Sequence, residues 1–471
     1  MIFLKYIPTK FLGISLIAIN LIACGFQSYS AKPINAIESK SRFDQQNPKS
    51  EEFREYLIAQ GFNPDSFPIQ VWGLNELTYS ALFFHSDLDL ARKEWRAAQS
   101  AEITAAQRID PSISAASGKN TIKNPEENPW TYDLGIDIGI ITAGKREARI
   151  DRASNLSEAA KIKIAQTAWQ VRTRLAKSLI EYEFSLEQSK TLQKEVDLRS
   201  SIVDMLQKRL DAGMASSTEL NNARIALQKS EQTLAAEQIR TPSLLAALAS
   251  DAGLSLDVFK TLNLSSSLLS ADSSLNIIIE DSLQETAMLN RLDLRASLAR
   301  YQAAEAKLRL EIARQYPDIT LSPSYSYEPD GKFWNLGVGS LITLLNKNKG
   351  LIAEANSLRD VEAAQFNVVQ TRIISEINQS KASYTKSFEA IARAEKLLES
   401  QSVRMKQIEQ QFNSGAADRL QLTNTELENI IALQNQLLSR YKFRMAKVAL
   451  EDSLQKPLDA NIKIENASTK D

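Results

Sequence analysis

The chain of 471 residues holds one cysteine, one histidine and no surplus of either charge, with 56 basic against 57 acidic side chains. A single cysteine, Cys24, leaves no disulfide framework, thiolate cluster or thiol nucleophile to consider. His85 has neither a cysteine nor a second histidine with which to share a metal, and its setting, Phe84-His85-Ser86-Asp87, reads as a helix start. Balanced charge gives a nucleic acid or an acidic surface nothing to hold. With no nucleophile–base pair, phosphate loop or paired-acid constellation visible, neither an enzyme nor a cofactor is expected. Glycine and proline are also missing from two long stretches, residues 145–212 and 351–414.

What is present is present twice. Subtracting 206 from Leu283, Ala287, Asp293, Ala303, Ala304, Arg314, Pro317, Ile319 and Gly350 gives Leu77, Ala81, Asp87, Ala97, Ala98, Arg108, Pro111, Ile113 and Gly144, the same residue each time. Such a tandem duplication places function in how the copies assemble, not in one catalytic pocket.

At the N-terminus, Lys5 and Lys10 flank the start of an apolar run, Phe11 to Ile22, short for a membrane span and ending in Leu21-Ile22-Ala23-Cys24. This resembles a bacterial lipoprotein signal, cleaved before Cys24 with lipid on its sulfur; the alternative is an ordinary secretory signal with an incidental cysteine. Gly25, in place of an aspartate, fits sorting to the outer membrane in such lipoproteins. Lipid alone anchors without spanning.

The glycine-free stretches predict helices far longer than a globular average. Leu175, Leu179, Tyr182 and Leu186, then Leu192, Val196, Val203 and Leu206, keep the spacing of a coiled-coil-like seam. Each helix meets a short turn, Asp211 to Ser216 or Asn413 to Asp418, and a return helix follows at about 217–250 or 419–454. Each repeat therefore carries a long αα-hairpin with glycine at its tip.

Strand patterns lie between the helices. Tyr132, Leu134, Ile136, Ile138 and Ile140 alternate with Thr131, Asp133, Gly135, Asp137 and Gly139, one oily face and one wet. Ile319, Leu321, Pro323, Tyr325 and Tyr327 alternate with hydroxyl residues, and beyond Pro329-Asp330-Gly331 so do Trp334, Leu336, Val338 and Ile342 with Asn335, Gly337, Gly339 and Thr343. A weaker strand is expected near Ser112 to Ala116. About ten residues suffice for a tilted barrel strand to cross a bilayer, and the aromatics Tyr325, Tyr327, Phe333 and Trp334 cluster as an interfacial girdle does. The bland alternative is a pair of half-buried soluble hairpins. Four strands cannot close a barrel, and an open edge in lipid costs several kcal/mol per unsatisfied backbone group, so copies must share one. Three chains of four strands make twelve, within the range such barrels span.

The predicted fold is thus mainly helical with membrane β-structure: long helical hairpins forming a trimeric tunnel, continued by a shared barrel. The expected organisation is a signal peptide over 1–23, a lipidated, irregular lead segment over 24–70, a first repeat over 71–253 with its β-hairpin at about 111–141, an inter-repeat segment over 254–280, a second repeat over 281–457 with its β-hairpin at about 317–344, and a polar tail over 458–471.

With these pieces the chain resembles the outer-membrane efflux protein family, the TolC-like exit ducts of Gram-negative tripartite pumps, from residue 70 to residue 457. Ala143-Gly144-Lys145-Arg146-Glu147-Ala148-Arg149-Ile150, Asn346 to Ala355, Asn290-Arg291-Leu292-Asp293-Leu294 and Tyr316-Pro317-Asp318-Ile319 are similar to the subgroup serving heavy-metal and cation exporters of the resistance-nodulation-division (RND) type. The resemblance implies an outer-membrane homotrimer with a periplasmic tunnel, in contact with membrane lipid, docking on a periplasmic adaptor and an inner-membrane RND-type transporter. A type I secretion duct is the alternative within the class, and a lipid-anchored coiled-coil scaffold without a pore the alternative outside it.

Two stretches depart from the family pattern. Leu341-Ile342-Thr343-Leu344-Leu345-Asn346 lacks the usual proline and phenylalanine, and the acidic positions six and nine after the second tip glycine, Gly415, hold Gln421 and Asn424, which removes the usual acidic ring. Glu219, Asp418 and Glu426 are the substitute candidates. Arg209, Gly213 and Ser216 match the family's tip pattern for adaptor docking, and equally suit plain helix caps. The second tip has Gln411 and Asp418 where the first has Arg209 and Ser216, so the two should dock unequally. Asp133 and Asp137 are candidate pore-lining residues, or acids simply solvated on the wet face.

Overall fold

A computed structural model describes residues 27–119, 121, 129–265, 288, 290–341 and 346–458. Cys24, residues 342–345 and most of the expected inter-repeat segment and C-terminal tail lie outside the described residues.

Two compact units divide between Gln45 and Gln46. In the first, helix α1 (Ala36–Asp44) starts where the Asn35 side chain accepts from the amides of Ile37 and Glu38, and it buries none of its residues. The second unit opens with α2 (Glu51–Ala59), capped by Ser50 through the Phe53 amide. Both helices replace the irregular backbone expected there. Prolines at 33, 48, 64 and 68 suggested loops, but Asn35 and Ser50 are good N-caps, and Phe53, Tyr56 and Leu57 hold helical spacing and are buried.

Helices α3 (Leu74–Phe84) and α4 (Ser86–Ala106) follow, broken at His85. His85 is extended, and its Nδ1 accepts from the Asp87 amide at 3.1 Å, capping α4 as a helix-start residue should. Burial lowers its pKa. Strands β1 (Ser112–Lys119) and β2 (Trp130–Ile140) precede α5 (Lys145–Asp211), whose 67 residues reach about 100 Å at the helical rise. The return helix α6 (Ser217–Asp251) completes the first repeat, and the short α7 (Leu256–Phe259) opens the inter-repeat segment. The second repeats the order: α8 (Leu292–Ala313), β3 (Ile319–Glu328), β4 (Gly331–Ser340), α9 (Lys349–Asn413) and α10 (Arg419–Leu454).

The entries to the two long helices show where the repeats diverge. Before α5, Gly144 adopts φ 70°; before α9 that role falls to Asn348 at φ 56°, and Gly350, its sequence counterpart, lies inside the first turn. Asparagine tolerates the left-handed region, and here its amide also donates to Glu311 O at 2.8 Å.

The largest core gathers around Phe53, Trp72, Leu77, Leu82, Leu175, Leu179, Leu248 and Phe259. Trp72 exchanges backbone bonds with Asn263 and Ser265, tying the start of the first repeat to the chain beyond its end. A second core centres on Ile373, Ile377, Tyr384, Phe443 and Leu450. Between them α5 packs on α10. Trp169 Nε1 and Thr173 Oγ1 both donate to Asp452, each at 3.0 Å, Phe184 stacks on Tyr441 at 4.4 Å, and Ala176 and Ile180 meet Val448. Beside them Arg172 donates to Glu451 at 3.0 Å, the two side chains 5% and 6% exposed, with the guanidinium over Trp169. The α8 entry is held by charge. Arg291 is bidentate to Asp293 and reaches Glu376 and the Ser453 carbonyl, and Arg372 also donates to Asp293. Burial raises the Asp293 pKa, but the bonds from Arg291 and Arg372 outweigh it and hold the carboxyl below its ordinary value.

Removing one partner of a buried pair strands the other, at about 3–5 kcal/mol. Arg172→Ala should therefore lower unfolding free energy by that order, and Arg172→Met with Glu451→Leu should recover most of it in denaturant titrations. Asp293, with its folded pKa depressed, contributes stability that is present above the unfolded value of 3.8 and lost as pH falls through the folded value. Acid titration of the native protein should show a loss of stability beginning near that value, and Asp293→Asn should shrink that loss.

Candidate functional site

The four strands form one antiparallel sheet in the order β1-β2-β3-β4, so the hairpins of the two repeats join edge to edge at β2–β3. The register runs straight across: Ala115 opposite Leu134, Leu134 opposite Tyr325, Tyr325 opposite Trp334. Because side chains alternate, this register gathers the oily positions of all four strands onto one face, except Phe333, which stands opposite Ser326 on the other and so leaves the expected aromatic girdle. The oily face is uncovered in the single chain, with Leu134 at 55%, Trp334 at 84%, Leu336 at 70% and Val338 at 69% exposure. An apolar surface of this extent marks a membrane or partner contact. The outer edges of β1 and β4 pair with no strand among the described residues.

The other face carries hydroxyls, glycines and acids. Asp133 and Asp137, four residues apart on β2, both lie on it. Asp137 is gripped from both neighbouring strands, accepting from Ser322 Oγ at 2.6 Å and Ser112 Oγ at 3.1 Å. Between the two acids, a Cβ on Gly135 would sit 2.7 Å from Ser114 Oγ, so a side chain there would turn the Ser114 hydroxyl away. The serine grip on Asp137 was not foreseen; the alternation of Ser112 and Ser322 with apolar neighbours was its signal. Beneath the sheet, Lys145 donates to Tyr316 O and to Asp318, locking the start of α5 to the entry of β3.

At the far end of the long hairpins, Gly213 (φ 73°) and Gly415 (φ 80°) close the two turns. The Met214 amide returns to Arg209 O and the Ala416 amide to Gln411 O, which leaves each turn a left-handed residue that glycine supplies without strain. Ser216 and Glu219 form a reciprocal capping box at the start of α6, so Glu219 is spent on its own helix. Asp418 caps α10 through the Gln421 amide at 2.8 Å and also accepts from Arg209 at 2.8 Å. Both bonds, the capping one first, hold its carboxyl below its ordinary pKa. The structure thereby brings together Arg209 and Asp418, which the sequence placed at separate tips. Gln421 and Asn424 stand exposed on the first turns of α10, and Glu426 is half-buried.

Comparison with known proteins follows the same lines. Residues 84–253 match the profile of the outer membrane efflux protein family. The cobalt-zinc-cadmium resistance protein CzcC of Cupriavidus metallidurans is 24% identical over 283 residues, 57% of this chain and 65% of that relative, just under two thirds of its length. The structure of the outer membrane protein VceC of Vibrio cholerae superposes with a TM-score of 0.65 at 18% identity, covering 82% of this chain and 97% of that one. The CmeC outer membrane channel of Campylobacter jejuni gives 0.65 at 14% identity, over 83% and 88%. Residues 84–253 thus carry the sequence profile of the outer membrane efflux protein family, and over about four fifths of its length the chain has the fold of VceC and CmeC.

Proposed function

We propose that the chain is one third of an outer-membrane exit duct for a tripartite efflux pump, conducting passively what an adaptor and an inner-membrane transporter deliver. The observation that carries this reading is the two-faced sheet with open edges. In lipid its oily face is satisfied, but the unpaired backbone of β1 and β4 is not until a neighbouring copy adds its own strands. Three copies make twelve strands with the acids and hydroxyls of the wet face turned to a water-filled interior. The long hairpins then continue that interior on the periplasmic side.

Lipid on Cys24 would anchor the chain to the same outer membrane of a Gram-negative cell. The exposed tips, with Arg209, Gly213 and Ser216 on one and Gly415 and Asp418 on the other, offer the adaptor two unlike docking points, bridged by Arg209 and Asp418. The likeness to CzcC favours an RND-type transporter as the pump. With amides at positions 421 and 424, no acidic ring at the mouth preselects cations, in keeping with a duct that passes what the pump has chosen.

Purified full-length protein added to a planar lipid bilayer should give discrete conductance steps of uniform size; a protein that never produces them is a scaffold and not a duct. Leu134→Arg, on the oily face, should cost about 2–4 kcal/mol per chain at mid-bilayer and abolish those steps. Ala116→Lys, on the wet face opposite Asp133, should leave assembly intact and shift ion selectivity toward anions.

A further inference from the structure

A groove of about 480 Å³ lies between α4, α5 and α8 just below the sheet, floored by Ala98, Ala101, Ala105, Ala153, Leu156 and Leu310. Two arginines one helical turn apart, Arg149 and Arg152, stand at its rim. A second cavity of about 560 Å³, at the foot of the strands, shares Arg149 and Leu310 with the first.

The side of the wall on which the second opens follows from the register. The lower cavity reaches Ile141, Thr320 and Leu341, all in step with the wet positions of their strands. Ile109, which also lines it, sits 3.0 Å from where Gly139 would carry a Cβ, and Gly139 is a wet-face residue. The second cavity therefore opens on the wet side of the sheet, and the groove adjoins it through Arg149 and Leu310.

The charges there are uneven. Arg314 is taken up by Glu311, and Lys145 by Asp318. Arg149 reaches only the Gln107 carbonyl at 3.3 Å, and its Nε has no hydrogen-bond partner among the described residues. Arg152 makes no ion pair with any described residue, and the adjacent Asp151 pairs with Arg309. An apolar floor with two guanidinium groups at its edge that make no ion pair with any described residue is complementary to a molecule with an alkyl chain and an anionic head. A bilayer lipid has no route to the wet side. We propose that this groove is a contact site for amphipathic anions, phosphates or carboxylates on an alkyl chain, in transit through the duct. The inference rests on the duct reading for its setting, and its test does not need conduction.

Calorimetric titration of n-octyl phosphate into full-length protein held in nanodiscs of zwitterionic lipid, with octyltrimethylammonium as the control and empty nanodiscs as the blank, reads the site directly. The expected result is one saturable site per chain for the phosphate and none for the ammonium. Arg152→Gln, which severs no internal bond, and Ala101→Trp, which fills the floor, should each weaken binding at least tenfold with an unchanged melting temperature. No saturable binding, equal binding of the ammonium, or an affinity unchanged from the native protein in either variant would overturn it. A protein that binds octyl phosphate but conducts nothing would refute the duct and leave the groove.

Discussion

The rest of the structure depends on an unfinished sheet. Four strands with one apolar face cannot rest in water, where Leu134, Trp334, Leu336 and Val338 would stay exposed. Nor can they rest alone in lipid, where the free edges of β1 and β4 would each forfeit backbone hydrogen bonds. Both demands are met when identical sheets join edge to edge around water. The duplication supplies the geometry: each repeat contributes one hairpin, and the β2–β3 junction inside the chain is a template for the β4–β1 junction between chains.

Below the sheet the helices hold the strands in place. Lys145 fixes the start of α5 to Asp318 at the entry of β3, so the first repeat's long helix is registered on the second repeat's hairpin. Further down, α5 packs on α10 through Trp169, Arg172, Thr173 and Phe184, and the repeats become one wall instead of two loose hairpins. At the tips a single ion pair, Arg209 to Asp418, joins them again. That pair is solvent-exposed and worth about 1 kcal/mol or less, whereas the α5–α10 seam is buried, so the tips are the more easily parted end.

Much of this was legible in the sequence because it rests on period and repetition. The helix lengths follow from the missing glycine and proline, the strand faces from alternation, and the hairpin tips from Gly213 and Gly415. Contacts between elements distant in sequence were not legible. No local pattern pairs Arg209 with a residue 209 positions on, or places Ser112 and Ser322 on either side of Asp137. Glu219 looked available as a mouth charge until its capping partner, Ser216, was seen to take it. The helices α1 and α2 were hidden by prolines, though Asn35 and Ser50 announced them. Gly350 is the repeat counterpart of Gly144, yet the left-handed turn before α9 is made by Asn348, a divergence the duplication alone does not reveal.

The central claim is that β1 of one chain pairs with β4 of another, and in-membrane cysteine cross-linking tests it most directly. Ala115→Cys on β1, combined in turn with Trp334→Cys, Leu336→Cys or Val338→Cys on β4, places thiols on the same face at the two free edges, in a chain whose only native cysteine is Cys24. Mild oxidation of cells carrying the right combination should yield a ladder that ends at the covalent trimer, and neither single variant should pass the dimer. A double variant that stays monomeric in every combination, or a ladder that runs on past three chains, would contradict a barrel closed by three copies.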